Sequence, residues 1–267
     1  MLESITRRGF LGLAPVVSFS RLSFADPLAT PGAIDTAPAS FPAHDPAVVK
    51  EIVTVAHFNL ARVKELVTPR PALARVSWDW GFGDWETPID AASHVGNRAI
   101  AEFLIASGAR PTIYTAAMMG QLTIVKQWID AVPGVQRHPG PHGITLLAHA
   151  KNGGAAAAEV FEYLKSLGDA DPRYTDLPVA DGDAAAIAGE YAFGDAATER
   201  FVVARNPRGA FTIQRTGAIE RGLSHQGALA FIPAGAEAVR IRFELDGARA
   251  AALVVEDGPL TVRATRR

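Results

Sequence analysis

The sequence predicts an α+β protein of several parts: a helical-repeat solenoid of about four copies over residues 47–172, then a small antiparallel β barrel or sandwich over 173–267. Three observations carry this prediction. Small residues recur at comparable helix positions, Ala56, Ala92, Ala117 and Ala150, at spacings of 36, 25 and 33. An apolar i, i+4 pair follows each of them: Val63/Val67, Ile100/Leu104, Ile124/Trp128 and Val160/Leu164. Pairs at that spacing fall on one helical face, as packing against a neighbour requires. After Pro172 the period changes to two, with Val239, Ile241, Phe243 and Leu245 alternating with Arg240, Arg242 and Glu244, the signature of a half-buried strand.

Before the repeats, Thr6-Arg7-Arg8-Gly9-Phe10-Leu11-Gly12 resembles the twin-arginine export motif, although Gly12 stands where a basic residue is usual. An apolar run follows to Ser20, and Ser23-Phe24-Ala25 places small residues at the positions a signal peptidase reads. The resemblance implies a signal peptide over 1–25, with Arg7, Arg8, Phe10 and Leu11 as its recognition residues, and a periplasmic or otherwise exported protein. An uncleaved membrane tether is the alternative. Eleven residues cannot span about 30 Å of hydrocarbon as a helix, and no later stretch is long and apolar enough, so no membrane span is expected in the mature chain. Residues 26–46 hold five prolines among Ala, Thr and Ser and read as an extended Pro/Ala-rich linker.

The clearest repeat is Thr87-Pro88-Ile89-Asp90-Ala91-Ala92, then Gly96, Ile100 to Ile105, and Gly108-Ala109. It resembles the ankyrin consensus, in which Thr-Pro-Leu-His-x-Ala opens one helix, a glycine turns the chain, and Gly-Ala closes a second apolar helix. Thr87 suits an N-cap and Pro88 the first helical position; Gly108 suits the left-handed residue that ends the second helix. Thr145-Leu146-Leu147-Ala148-His149-Ala150 is a weaker copy with the histidine displaced, and Asp90 stands in the motif histidine's place. The resemblance implies an ankyrin-repeat α-solenoid that recognises another protein through its loops and concave face, with no catalytic residues to carry over.

Beyond Pro172, strands are expected at 189–194, 199–205, 210–216, 239–245, 251–256 and 260–264, with hairpin turns at Asp246-Gly247 and Asp257-Gly258. This part faintly resembles the β-domain that follows the catalytic domain in some serine β-lactamase-like hydrolases. No Gly-x-Ser-x-Gly and no Ser-x-x-Lys occurs, so the hydrolase itself is not expected.

A net charge of −2 with no concentrated Lys and Arg gives no footprint for nucleic acid. The absence of cysteine excludes disulfides, thiolate metal sites and cysteine nucleophiles. The loop Trp78-Asp79-Trp80-Gly81-Phe82-Gly83-Asp84-Trp85 holds three of the four tryptophans. Trp78, Trp80, Phe82, Asp84 and Trp85 are the expected binding residues, since rings with polar edges suit recognition; folding of the loop over the end of a short stack, or its docking onto the β-domain, is the competing expectation. His138-Pro139-Gly140-Pro141-His142-Gly143, with His149 beyond, reads as a rigid turn because its spacing is not that of a helical zinc pair and no carboxylate lies within 137–150. No metal ligand and no cofactor are assigned. Ser224 and His225 diverge on a strand and form no nucleophile–base pair. Arg205, Arg208, Arg215, Arg240 and Arg242 read as a solvated strand face. The expected function is therefore non-enzymatic protein binding in the cell envelope. Small-ligand or glycan binding at the 78–85 loop is the alternative, and an enzyme without a recognisable motif is the third reading.

Overall fold

A computed structural model describes residues 40–267. The expected export residues Arg7, Arg8, Phe10 and Leu11, and most of the expected linker, lie outside the described residues. Helix α1 (Pro46–Val55) starts at the linker's last position, capped by Asp45, whose carboxylate accepts the Ala47 N–H at 2.8 Å. The remaining helices are α2 (Leu60–Val67), α3 (Pro88–His94), α4 (Arg98–Ala106), α5 (Ile113–Met118), α6 (Leu122–Ala131), α7 (Leu146–Asn152), α8 (Ala158–Leu167) and α9 (Asp181–Ile187). No helix among the described residues is long and apolar enough to cross a membrane.

Helices α1 to α8 pack in sequential pairs, α1 with α2 through α7 with α8. Helix α3 shows why these segments become helical. Thr87 and Asp90 form a reciprocal capping box, Pro88 occupies the first turn without losing a needed N–H, and every residue of the helix is buried. Ala56, Ala92, Ala117 and Ala150 are all buried at the helix contacts.

The expected ankyrin-repeat solenoid of about four copies is not what forms. The fold is a closed eight-stranded antiparallel β-barrel preceded by several helices, with the barrel in the C-terminal part. A solenoid unit touches only its neighbours, whereas α3 packs directly on α7 as well as on α5. The Asn152 side chain of α7 donates to the His94 carbonyl of α3, and the α3–α4 turn at Gly96 lies against the Asn152 backbone. The expected register also fails in α6. Val125 is buried, with Ile129 packed beside it, while Ile124 and Trp128 are 44% and 37% exposed.

The barrel contains β3 (Gly189–Ala192), β4 (Arg200–Arg205), β5 (Phe211–Arg215), β6 (Glu220–Gly227), β7 (Ala230–Pro233), β8 (Arg240–Asp246), β9 (Arg249–Asp257) and β10 (Leu260–Arg266). Each strand pairs with the next, and β10 returns to β3 through Thr265–Ala192 and Arg266–Tyr191, which removes the sheet edges. Tyr191, Phe211, Phe231 and Phe243 fill the interior. Ala184 and Ile187 of α9 join that cluster at the end where β3 begins. Two further strands, β1 (Trp78–Asp79) and β2 (Trp85–Glu86), form a small ribbon in the helical part.

Candidate functional site

The β1–β2 ribbon and its Gly81-Phe82-Gly83 tip connect the two parts. All three tip residues have positive φ, 107°, 59° and 75°, a conformation that glycine adopts freely and phenylalanine rarely. The turn sends the Phe82 ring against the barrel core and swings Asp84 inward. The buried Asp84 carboxylate accepts from the His142 N–H at 2.8 Å and faces His142 Nδ1 at 2.8 Å and Arg221 Nη1 at 2.9 Å. Arg221, at the start of β6, also donates to the carbonyls of Ala234 (2.7 Å) and Gly81 (3.0 Å). Burial opposes ionisation of Asp84, but its hydrogen bonds from His142 and the nearby Arg221 hold its pKa below the ordinary value. Gly235 sits against this junction at φ +71°. A Cβ there would lie 2.9 Å from the His142 Cα, so the approach admits only glycine.

Behind this junction, three imidazoles converge on Glu86, which is fully buried. His94 Nδ1 lies 3.2 Å and His57 Nε2 3.6 Å from Oε1, and His142 Nε2 lies 3.4 Å from Oε2. One ligand atom from each of the four residues falls within 4.8 Å of all the others. The four come from separate segments: the turn after α1, strand β2, the last residue of α3, and the 141–143 turn.

The surroundings orient these groups. His57 Nδ1 lies against the carbonyls of Val53 (3.1 Å) and Thr54 (3.0 Å), which fixes the proton there and leaves Nε2 as a bare lone pair. His142 Nδ1 is held by Asp84 in the same way. The Trp80 indole N–H donates to Glu86 Oε2 at 2.7 Å. Burial disfavours charge on His142, yet Asp84 and Glu86 outweigh it and raise its pKa to about 9. Burial alone would raise Glu86, but the His142 and His94 imidazoles bring it down to about 2. Burial lowers His57, with Glu86 opposing, and lowers the neighbouring His149 to about 4.

A proton on His142 explains its contacts with Asp84 and with Glu86 Oε2. It leaves Oε1 facing two imidazole nitrogens, and neither Glu86 Oε1 nor His94 Nδ1 has a hydrogen-bond partner among the described residues. Buried polar atoms left this way are rare and unfavourable. A cation among the four groups would displace the His142 Nε2 proton, as metal binding to histidine requires, and would then satisfy all of them. Four ligand atoms arranged tetrahedrally at bonds of about 2.0–2.1 Å stand about 3.3 Å apart; His94 Nδ1 and His57 Nε2, at 3.2 and 3.6 Å from Glu86 Oε1, are close to that, and His142 Nε2 lies 3.4 Å from the other carboxylate oxygen. Three imidazoles and one carboxylate suit zinc, copper, nickel or iron, and do not suit calcium or magnesium.

The structure divides the expected binding residues. Trp78 and Trp80 are half-buried and meet edge-on at 6.4 Å, Phe82 packs on the barrel, Asp84 is buried, and only Trp85, at 60%, is well exposed. Sequence reasoning missed His57, Glu86 and His94 and set His142 aside. The available signal was a count of histidines across the helical part; spacing within any one motif held none. Ser224 and His225 lie on β6 and form no pair with each other. Four of the five arginines read as a strand face are engaged, Arg205 with Asp181, Arg242 with Glu256, and Arg215 and Arg240 with backbone carbonyls. Comparison with family models, curated proteins and solved structures finds no match.

Proposed function

We propose that this chain binds one divalent transition-metal ion through His57, Glu86, His94 and His142, and that the ion is a structural cross-link in a non-enzymatic binding protein. The observation that carries the reading is the pair of buried atoms Glu86 Oε1 and His94 Nδ1, facing one another at 3.2 Å and without a hydrogen-bond partner among the described residues. Four protein ligands make a closed set, the arrangement typical of structural ions, where catalytic ions keep a position for water or substrate. Drawn from four segments of a part built on helices of six to ten residues, the ligands place the ion where a cross-link is most useful.

The test strips the purified chain with chelator and titrates it with Zn²⁺ and Co²⁺, following heat, bound metal and the visible Co²⁺ spectrum. One ion per chain is expected, with a tetrahedral cobalt spectrum and a raised melting temperature. His57→Ala and His94→Ala should each abolish saturable uptake. Failure of the wild-type chain to take up either ion saturably would overturn the reading.

A second reading, recognition of another protein in the cell envelope, is favoured by the exposed Trp85, since a large exposed ring suits a contact hot spot. Trp85→Ala should then abolish capture of an envelope partner without changing the melting temperature.

A further inference from the structure

At the barrel end opposite α9, the interior is not filled. A cavity of about 280 Å³ opens there, walled by Phe201, Ile213 and Val262 from the strands, by Phe193 just beyond β3, and by Trp80 and Phe82 from the ribbon. Eight-stranded barrels are wide enough to hold one small ligand when side chains leave the space. Here Tyr191, Phe231 and Phe243 pack the deeper core, so any occupant stays at the mouth.

Two guanidinium groups border the cavity. Arg221 is committed to Asp84 and two carbonyls. Arg215 is not. Its Nε donates to the Thr198 carbonyl at 2.9 Å and its plane lies over the Phe193 ring, which leaves both terminal amino groups without a protein acceptor among the described residues. An apolar cavity with one cation at its rim is complementary to an apolar body ending in a single anionic group. The tip that forms one wall carries three consecutive positive-φ residues, with Phe82 in a conformation its side chain disfavours. Such strain persists where the surroundings enforce it and marks segments with a mechanical or binding role.

We propose that the barrel mouth binds a small amphipathic anion, an aliphatic or aromatic monocarboxylate, with its apolar part between Trp80, Phe82 and the strand side chains and its carboxylate on Arg215. The site does not require the metal reading, because the hydrogen bond from Trp80 to Glu86 Oε2 holds the wall in place without an ion.

The probes are octanoate and octanol, titrated into the metal-free full chain by calorimetry and tryptophan fluorescence. Octanoate is expected to bind saturably at one site. Arg215→Gln should weaken octanoate about tenfold, the loss of one charge-assisted hydrogen bond, and leave octanol within about twofold. Val262→Trp should fill the cavity and abolish binding of both; Ile219→Trp, on the rim turn, does the same if the first variant does not fold. Absence of saturable octanoate binding would overturn the site. Equal weakening of both probes by Arg215→Gln, or binding indifferent to the filling variants, would overturn it too.

Discussion

Replacing Asp84 by alanine should destabilise the protein by about 3–5 kcal/mol, the range for stranding one member of a buried ion pair. The carboxylate accepts from three donors at 2.8–2.9 Å, two on His142 and one on Arg221. Its removal leaves Arg221, 6% exposed, with only the carbonyls of Ala234 and Gly81. Arg221→Met should cost less, about 1–3 kcal/mol, because Asp84 keeps His142 as a partner. The double variant should fall short of the sum of the single losses by at least about 1 kcal/mol, since the second change removes a charge already left without its partner. Chemical denaturation of the metal-free chain, followed by far-UV circular dichroism, gives all four free energies. Single losses below about 1 kcal/mol, or an additive cycle, would refute the view that this pair holds the ribbon to the barrel.

Leu104→Ala should destabilise by about 2–5 kcal/mol, and Val125→Ala should exceed Ile124→Ala; the reverse order in denaturation would refute the α6 register. The fully buried His149 is held at about 4 against an ordinary 6.5, so the unfolded chain takes its proton more readily and stability falls as pH drops from 6.5 toward 4, by up to about 3 kcal/mol. His149→Gln in metal-free chain should remove that part of the pH dependence, and parallel wild-type and variant profiles would contradict it. Changing Arg7 and Arg8 together to lysine should leave precursor in the cytoplasm, and unchanged envelope localisation would argue against twin-arginine export.

The elements most legible in the sequence were those set by local chemistry. Thr87, Pro88 and Asp90 define the start of α3 within four residues, and the Asp-Gly turns mark the β8–β9 and β9–β10 hairpins. Helix α6 was misread because Ile124-Val125 and Trp128-Ile129 are adjacent apolar pairs, so two faces offer the same i, i+4 spacing and only the surroundings choose between them. Strand β6 was missed because Arg221 and His225 point inward and break the apolar alternation, and β7 because it is only the four residues Ala230–Pro233, ending in proline. The Glu86 cluster joins positions up to 85 residues apart, from 57 to 142, a distance that no local spacing rule samples. The helical pairs were visible, but their closure into a group in which α3 meets α7 is a tertiary fact.

The β10–β3 seam bears on the order in which the protein is made. Tyr191 and Ala192 acquire their partners on the β10 side only when Arg266 and Thr265 exist, 75 and 73 residues later. At translation rates of 5–20 residues per second, β3 stands with one side unpaired for roughly 4–15 s. The helices and the ribbon can gather in that interval, whereas the barrel cannot close. Asp84 waits as well, because Arg221 reaches its place only as the strands assemble. The ribbon is therefore made early and fastened late, and a nascent chain paused before β10 would present an open sheet edge to any strand nearby.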